Sequence, residues 1–134
     1  MRPHIEYEKL APGYEFAPAS YKLDSKVIRD YLRATGDNNH IYEEEKIVPP
    51  MLIAALAMAA MSTRLELPPG TVHVSQELEF SGIVDMGEIL TSYARVSRKM
   101  ERGKFHMLTI DTNVENRKKI IVMTGKTSFI LPTS

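Results

Sequence analysis

The sequence contains no cysteine and no tryptophan. Without thiols, disulfide frameworks, thiolate zinc sites, iron–sulfur clusters and cysteine nucleophiles are excluded. Neither sign of charge is in excess, since 17 Lys+Arg balance 17 Asp+Glu over 134 residues. A non-specific nucleic-acid binder needs surplus cations to displace counterions from phosphate, so the zero net charge argues against that class. No hydrophobic run reaches the roughly 20 residues of a membrane span. The longest uncharged stretch, Ile47–Thr63, has 17 residues, contains Pro49-Pro50 and is built largely from Ala and Met. It reads as a buried helix. The opening Met1-Arg2-Pro3-His4-Ile5-Glu6 has no apolar segment and acquires an acid at once, unlike a secretory signal. Together these absences lead us to expect a cytoplasmic protein with no nucleic-acid or membrane partner.

What remains is an ordinary globular composition, 43% hydrophobic and 25% charged. The length suits a single domain over residues 1–134. A chain of this size buries about two-thirds of its unfolded surface, enough for a core without covalent staples.

Tyr14 to Leu23 is expected to be extended, with Pro18 confining it to a sheet edge. Asp24 then reads as an N-cap, and Val27, Ile28, Tyr31 and Leu32 mark one apolar face of a short helix. Gly36 is its natural stop. Asp37-Asn38-Asn39-His40 follows as a polar loop of residues that bond their own backbone. A second helix is expected from Pro50 to Leu65, because Pro in a first helical turn sacrifices no hydrogen bond. Its apolar residues fall on all sides, so it must be enclosed.

From Thr71 to Ser81 the sequence alternates, with Val72, Val74, Gln76, Leu78 and Phe80 on one face, as in a half-buried strand. Asp85-Met86-Gly87 reads as a turn, Glu88–Met100 as a strand, and Arg102-Gly103 as a hairpin turn. Lys104–Glu115 and Lys119–Leu131 complete the set, separated by Asn116-Arg117-Lys118, with a bulge expected at Gly125. Short connections imply an antiparallel meander. The expected class is α+β, one long buried helix wrapped by a curved antiparallel sheet. Its open edges favour a homodimer joined edge to edge.

This order of elements, with Thr35-Gly36-Asp37-Asn38-Asn39-His40-Ile41-Tyr42, resembles the MaoC-like hot-dog family, which includes the (R)-specific enoyl-CoA hydratases. The family motif here runs Ser/Thr-Gly-Asp-x-Asn-Pro-Ile/Leu-His, followed after a loop by a helix opening Ile/Val-Ala-His-Gly-Met. The resemblance extends from about Tyr14 to Pro132 and takes in Pro69-Gly70 and Met86-Gly87. It implies a hot-dog fold and reversible addition of water to a 2-enoyl thioester. Coenzyme A would be part of the substrate, or an acyl-carrier protein would take its place, with no separate cofactor and no metal. A homodimer or higher homo-oligomer is implied. Carried over, the family's catalytic Asp falls on Asp37 and its Asn on Asn39. His40 stands where the motif has Pro, and Tyr42 occupies the catalytic His position. The helix-opening His-Gly-Met becomes Pro49-Pro50-Met51. In the family that Gly gives its N–H to the thioester oxygen, and Pro50 has none to give.

Hydration needs a base for water, a proton for the α-carbon and donors for an enolate-like oxygen. Asp37 suits the proton work. A tyrosine near its usual pKa of ~10 donates a hydrogen bond at neutral pH but is a poor base, so Tyr42 would orient water. His40 meets Asp37 only if the loop continues into a helical turn; otherwise it is a solvated loop residue. Met51 or a neighbour in the first helical turn offers an amide for the oxygen. Arg95 and Arg98, in the most basic stretch of the chain, form either a solvated hairpin or a dock for coenzyme A phosphates. His73 falls on a polar strand face, and His106 is phased with Leu108 and Ile110. Glu43-Glu44-Glu45 reads as a solvated loop or helix start. Two other functions are compatible with these residues: a non-catalytic acyl-CoA-binding protein or subunit, and an acyl-CoA thioesterase.

Overall fold

The computed structural model describes residues 5–132. Met1–His4, which include most of the N-terminal segment read above as lacking an address signal, lie outside the described residues. The elements run β1 (Ile5–Glu6), a 3-10 turn (Tyr7–Lys9), β2 (Ala19–Lys22), α1 (Ser25–Thr35), α2 (Ile41–Glu44), α3 (Pro50–Ser62), β3 (Leu65–Glu66), β4 (Val72–Phe80), β5 (Ile89–Arg102), β6 (Phe105–Glu115) and β7 (Ile121–Leu131). Five strands form one antiparallel sheet in the order β2-β5-β6-β7-β4, so β2 and β4 are its edges. β1 pairs in parallel with β3 apart from that sheet. No helix among the described residues is long and apolar enough to cross a membrane.

Helix α3 lies against β5, β6 and β7, the expected hot-dog arrangement. Two apolar clusters follow its length. Around its first turns, Leu52 and Ile53 pack with Leu23, Ile28, Leu90 and Met123. Toward its end, Met61 packs with Phe16, Val96, Leu108 and Ile110. Both clusters exclude water, and burial of each large apolar side chain contributes roughly 1.5–3 kcal/mol. The N-terminal segment is fastened over the second cluster. Lys99 Nζ donates to the carbonyls of Tyr7 and Leu10, each at 3.0 Å, and sits 4.2 Å from the centre of the Tyr7 ring.

Several expectations need correction. α3 stops at Ser62 rather than Leu65, because the chain leaves to pair Leu65 and Glu66 with Ile5 and Glu6. Arg64 Nη1 then donates to the Ala60 carbonyl at 2.8 Å, capping the helix end. The helix is not enclosed all round within one chain: Met51, Ala55 and Ala59, four residues apart, are exposed on one stripe. In β4 the expected apolar face is only partly buried. Leu78 and Phe80 pack on the core, while Val72 and Val74 are 55% and 46% exposed. The register slips between His73 and Ser75, and such a bulge breaks the two-residue alternation. Gly125 holds no bulge. The ladders run through it to Leu78 and Thr112, and the slips fall at Val96/Arg98 and Val114/Glu115 instead. A Cβ there would come 3.3 Å from Leu78 Cδ2, so the missing side chain serves close packing between strands. The long strands otherwise begin or end within two residues of expectation, and the β5–β6 turn is centred on Gly103. Ahead of β2, the Tyr14–Leu23 segment contributes only an isolated bridge from Glu15 to Arg95.

Candidate active site

The site is built by the way α1 ends. Asp24 Oδ1 accepts the Val27 N–H at 3.0 Å and opens the helix. After the eleven helical residues Gly36 takes the left-handed conformation, φ 69°, which is costly for residues with a Cβ. Its N–H turns back to the Arg33 carbonyl at 3.3 Å, and the Asp37 N–H reaches the Leu32 carbonyl at 3.0 Å. The chain is thereby turned out of the helix with Asp37 as the first residue beyond the stop.

Two side-chain turns follow in succession. Asp37 Oδ1 accepts the Asn39 N–H at 2.9 Å, and Asn39 Oδ1 accepts the Ile41 N–H at 3.0 Å. This is the local bonding that Asx residues favour, and it delivers the chain to α2, where Glu44 N–H donates to the His40 carbonyl at 3.0 Å. The helical turn thus begins at His40 instead of running from Asp37 to it, so the two do not meet as i,i+3 neighbours on a helix. Beyond α2 the chain is tied to the β4–β5 connection by Val48 N–H to Val84 O at 2.8 Å and Met86 N–H to Lys46 O at 2.7 Å.

Asp37, Asn39 and His40 line one open groove of about 430 Å³ together with Arg29, Arg33 and Glu43. Asp37 Oδ1 is occupied by Asn39, and Oδ2 has no partner among the described residues. A carboxylate held by one oxygen and open at the other can take or give a proton without losing its position.

Tyr42 is outside this groove. It is half-buried, its ring packed against the cluster around Leu52 and Ile53. Pro50 and Met51 are exposed at the start of α3. The Leu52 N–H is used by the Pro49 carbonyl at 3.0 Å, while the Met51 N–H lies in the first turn, where helical donors lack intrahelical acceptors.

Arg95 lies elsewhere. It lines a cavity of about 590 Å³ with Glu15, Tyr93, Asp111 and Asn113, which shares no residue with the loop groove. Its cross-strand neighbour is Asp111, and Glu15 bridges to it from the other side, so carboxylates flank it. Arg98 is exposed, with Nη2 3.5 Å from Met100 Sδ. Of the basic stretch, Lys99 is committed to the Tyr7 and Leu10 carbonyls. His73 is exposed, its Nε2 3.0 Å from the Ser75 carbonyl. His106 is half-buried and stacks on Tyr7 with ring centres 6.2 Å apart. Glu43, Glu44 and Glu45 are exposed in and just after α2.

Sequence reasoning overlooked Arg29 and Arg33. The sequence shows only that 29 and 33 share one face of α1; Asp37 lies beyond the helix stop, so its place beside them depends on how the loop folds.

The FAS1-like dehydratase domain region matches residues 11–125. No curated protein matches the chain in sequence. Among solved structures, the unliganded R-hydratase PhaJ1 of Pseudomonas aeruginosa superposes with a TM-score of 0.82 at 25% identity, covering 98% of this chain and 88% of that one. The (R)-hydratase of A. caviae involved in PHA biosynthesis gives 0.77 at 20% identity, covering 93% and 99%. A C-terminally truncated HadBC (3R-hydroxyacyl-ACP dehydratase) complex from Mycobacterium tuberculosis gives 0.69 at 18% identity, covering 89% and 96%. At these identities the last two speak for the fold alone.

Proposed function

The chain belongs to the FAS1-like dehydratase family and has the MaoC-like hot-dog fold, and on that premise we propose that it adds water reversibly to a 2-enoyl thioester. The observation that carries this reading is Asp37, pinned through Oδ1 to Asn39 and open at Oδ2 in a groove shared with His40. Water attacks the β-carbon while Asp37 Oδ2 takes its proton. The same carboxyl then returns that proton to the α-carbon, so H and OH add across the double bond with no net change at Asp37. His40 polarises the water from the groove side. Asn39 keeps the loop in shape, and Tyr42 anchors it to the core. Negative charge gathers on the thioester oxygen between the two steps, and the Met51 N–H at the α3 N-terminus serves as its donor.

A second reading is favoured by a specific observation. The Tyr42 ring is seated on the core, and Pro50 brings no N–H to the helix start. A chain with those two features suits a non-catalytic acyl-thioester-binding subunit whose partner supplies the missing groups. In either case β4 is the natural seam. It is a nine-residue edge strand with Val72 and Val74 exposed, and unpaired edges seek a strand. We propose that two copies join there.

The deciding experiment follows trans-2-enoyl-CoA esters of increasing chain length by loss of the conjugated thioester absorbance, with free thiol measured in parallel. Hydration without thiol release is the expected result. Binding without any product would establish the subunit reading, and thiol release would make the protein a thioesterase.

A further inference from the structure

We propose that Arg29 and Arg33 form an anion clamp that takes the phosphate of the pantetheine arm carrying the acyl thioester. This rests on the thioester reading above and adds its carrier-recognition site. Both arginines are exposed on α1, one turn apart, and both line the groove that holds Asp37 and His40. Neither makes an ion pair or hydrogen bond among the described residues. Asp30 lies between them in sequence; its carboxyl is held below its usual range first by the hydrogen bond from Lys26 at 2.8 Å, then by the charges of Lys26, Arg33 and Arg29. The arginines act on it only through space, so their guanidinium forks stay open to phosphate oxygens.

The two remaining charged groups in the groove, Asp37 and Glu43, are carboxylates and would repel a phosphate from the loop end. That polarity sets the direction of the ligand. The thioester lies toward Asp37 and the phosphate toward Arg29, which stands six residues or about 9 Å of helix before the last residue of α1, Thr35. The same phosphate occurs in free coenzyme A and on an acyl-carrier protein, so the clamp serves either source.

The test compares wild type with the R29Q/R33Q double variant, using a 2-enoyl group on pantetheine, on 4′-phosphopantetheine, on coenzyme A and on a holo acyl-carrier protein. The expected result is a KM about tenfold higher for the 4′-phosphopantetheine and coenzyme A thioesters. The phosphate-free pantetheine thioester should move less than twofold. The wild type's lower KM between coenzyme A and carrier protein then identifies the natural source. Equal losses with and without the phosphate would overturn the proposal, as would a loss confined to the carrier protein or one produced by R95Q/R98Q instead. Calorimetry with saturated butyryl-CoA separates this from the catalytic reading. Binding that weakens about tenfold in R29Q/R33Q, without turnover of any enoyl ester, removes the hydratase and leaves the clamp. Wild-type protein that does not bind butyryl-CoA removes the clamp.

Discussion

Asp37 Oδ1 accepts the backbone N–H of Asn39 at 2.9 Å, so one oxygen of a groove-lining carboxylate shapes the loop while the other has no partner among the described residues. The two duties separate on substitution. Asparagine keeps an acceptor oxygen for Asn39 but loses the ability to shuttle a proton at neutral pH. Alanine loses both.

The turn ahead of Asp37 depends on Gly36 at φ 69°. A Cβ at Gly36 meets nothing within 4 Å, so Gly36→Ala is opposed by backbone conformation alone. We expect a loss of about 1–2 kcal/mol and a Tm lower by several degrees. Activity should fall further than stability, because the strain is relieved by moving Asp37. Thermal melts beside kinetics check both parts.

Tyr7 Oη donates to Glu101 at 3.1 Å. Burial first, then that bond and the charges of Glu101 and Glu8, push its pKa up to about 12. Lys99 and His106 also face its ring. Between pH 10 and 12 the unfolded tyrosine ionises and the folded one does not, so the unfolded state binds fewer protons and stability falls as pH rises. Chemical denaturation of wild type and Tyr7→Phe should show their stability difference present below pH 10 and shrinking toward pH 12. A constant difference would refute this linkage.

Pro50 opens α3 at the position where the resembled motif has a glycine, proposed to give its N–H to the thioester oxygen. Pro50→Gly restores that donor at a small cost in helix stability. Because one such donor is worth about 10²–10³ in rate, kcat for enoyl-CoA hydration is expected to rise at least tenfold. An unchanged kcat would mean the oxygen is held elsewhere.

Much of the fold was legible because its signals are local. Asp24 caps α1 through Val27 three residues on, and Gly36 stops it through its own φ. Neither needs a distant partner. The errors arose where distant partners decide. α3 ends early because Leu65 pairs with Ile5, sixty residues away. Val72 and Val74 follow the alternation of a buried face, yet burial depends on a sheet edge and a slip at His73/Ser75 that alternation cannot express. At the site, the Asp37–Asn39–Ile41 bonding is a short-range property of Asx residues. The groove that gathers Arg29 and Arg33 beside them needs the loop to fold back along α1, and only the structure brings that into view.

Self-association through β4 also has a direct readout. Val74→Lys places a charge on the exposed edge, a device that blocks strand pairing. With the proposed seam, sedimentation should show a dimer for wild type and a monomer with the fold retained for Val74→Lys. A variant that stays dimeric would place the seam elsewhere.

Hydration of a 2-enoyl thioester depends, in the proposed mechanism, on Asp37 as the proton carrier. The most direct test is kcat for hydration of a 2-enoyl-CoA by wild type and Asp37→Asn at saturating substrate. With the loop bond to Asn39 preserved, we expect a fall of about 10²–10⁴ in kcat, little change in KM and an unchanged Tm. Turnover in Asp37→Asn equal to that of wild type would contradict it.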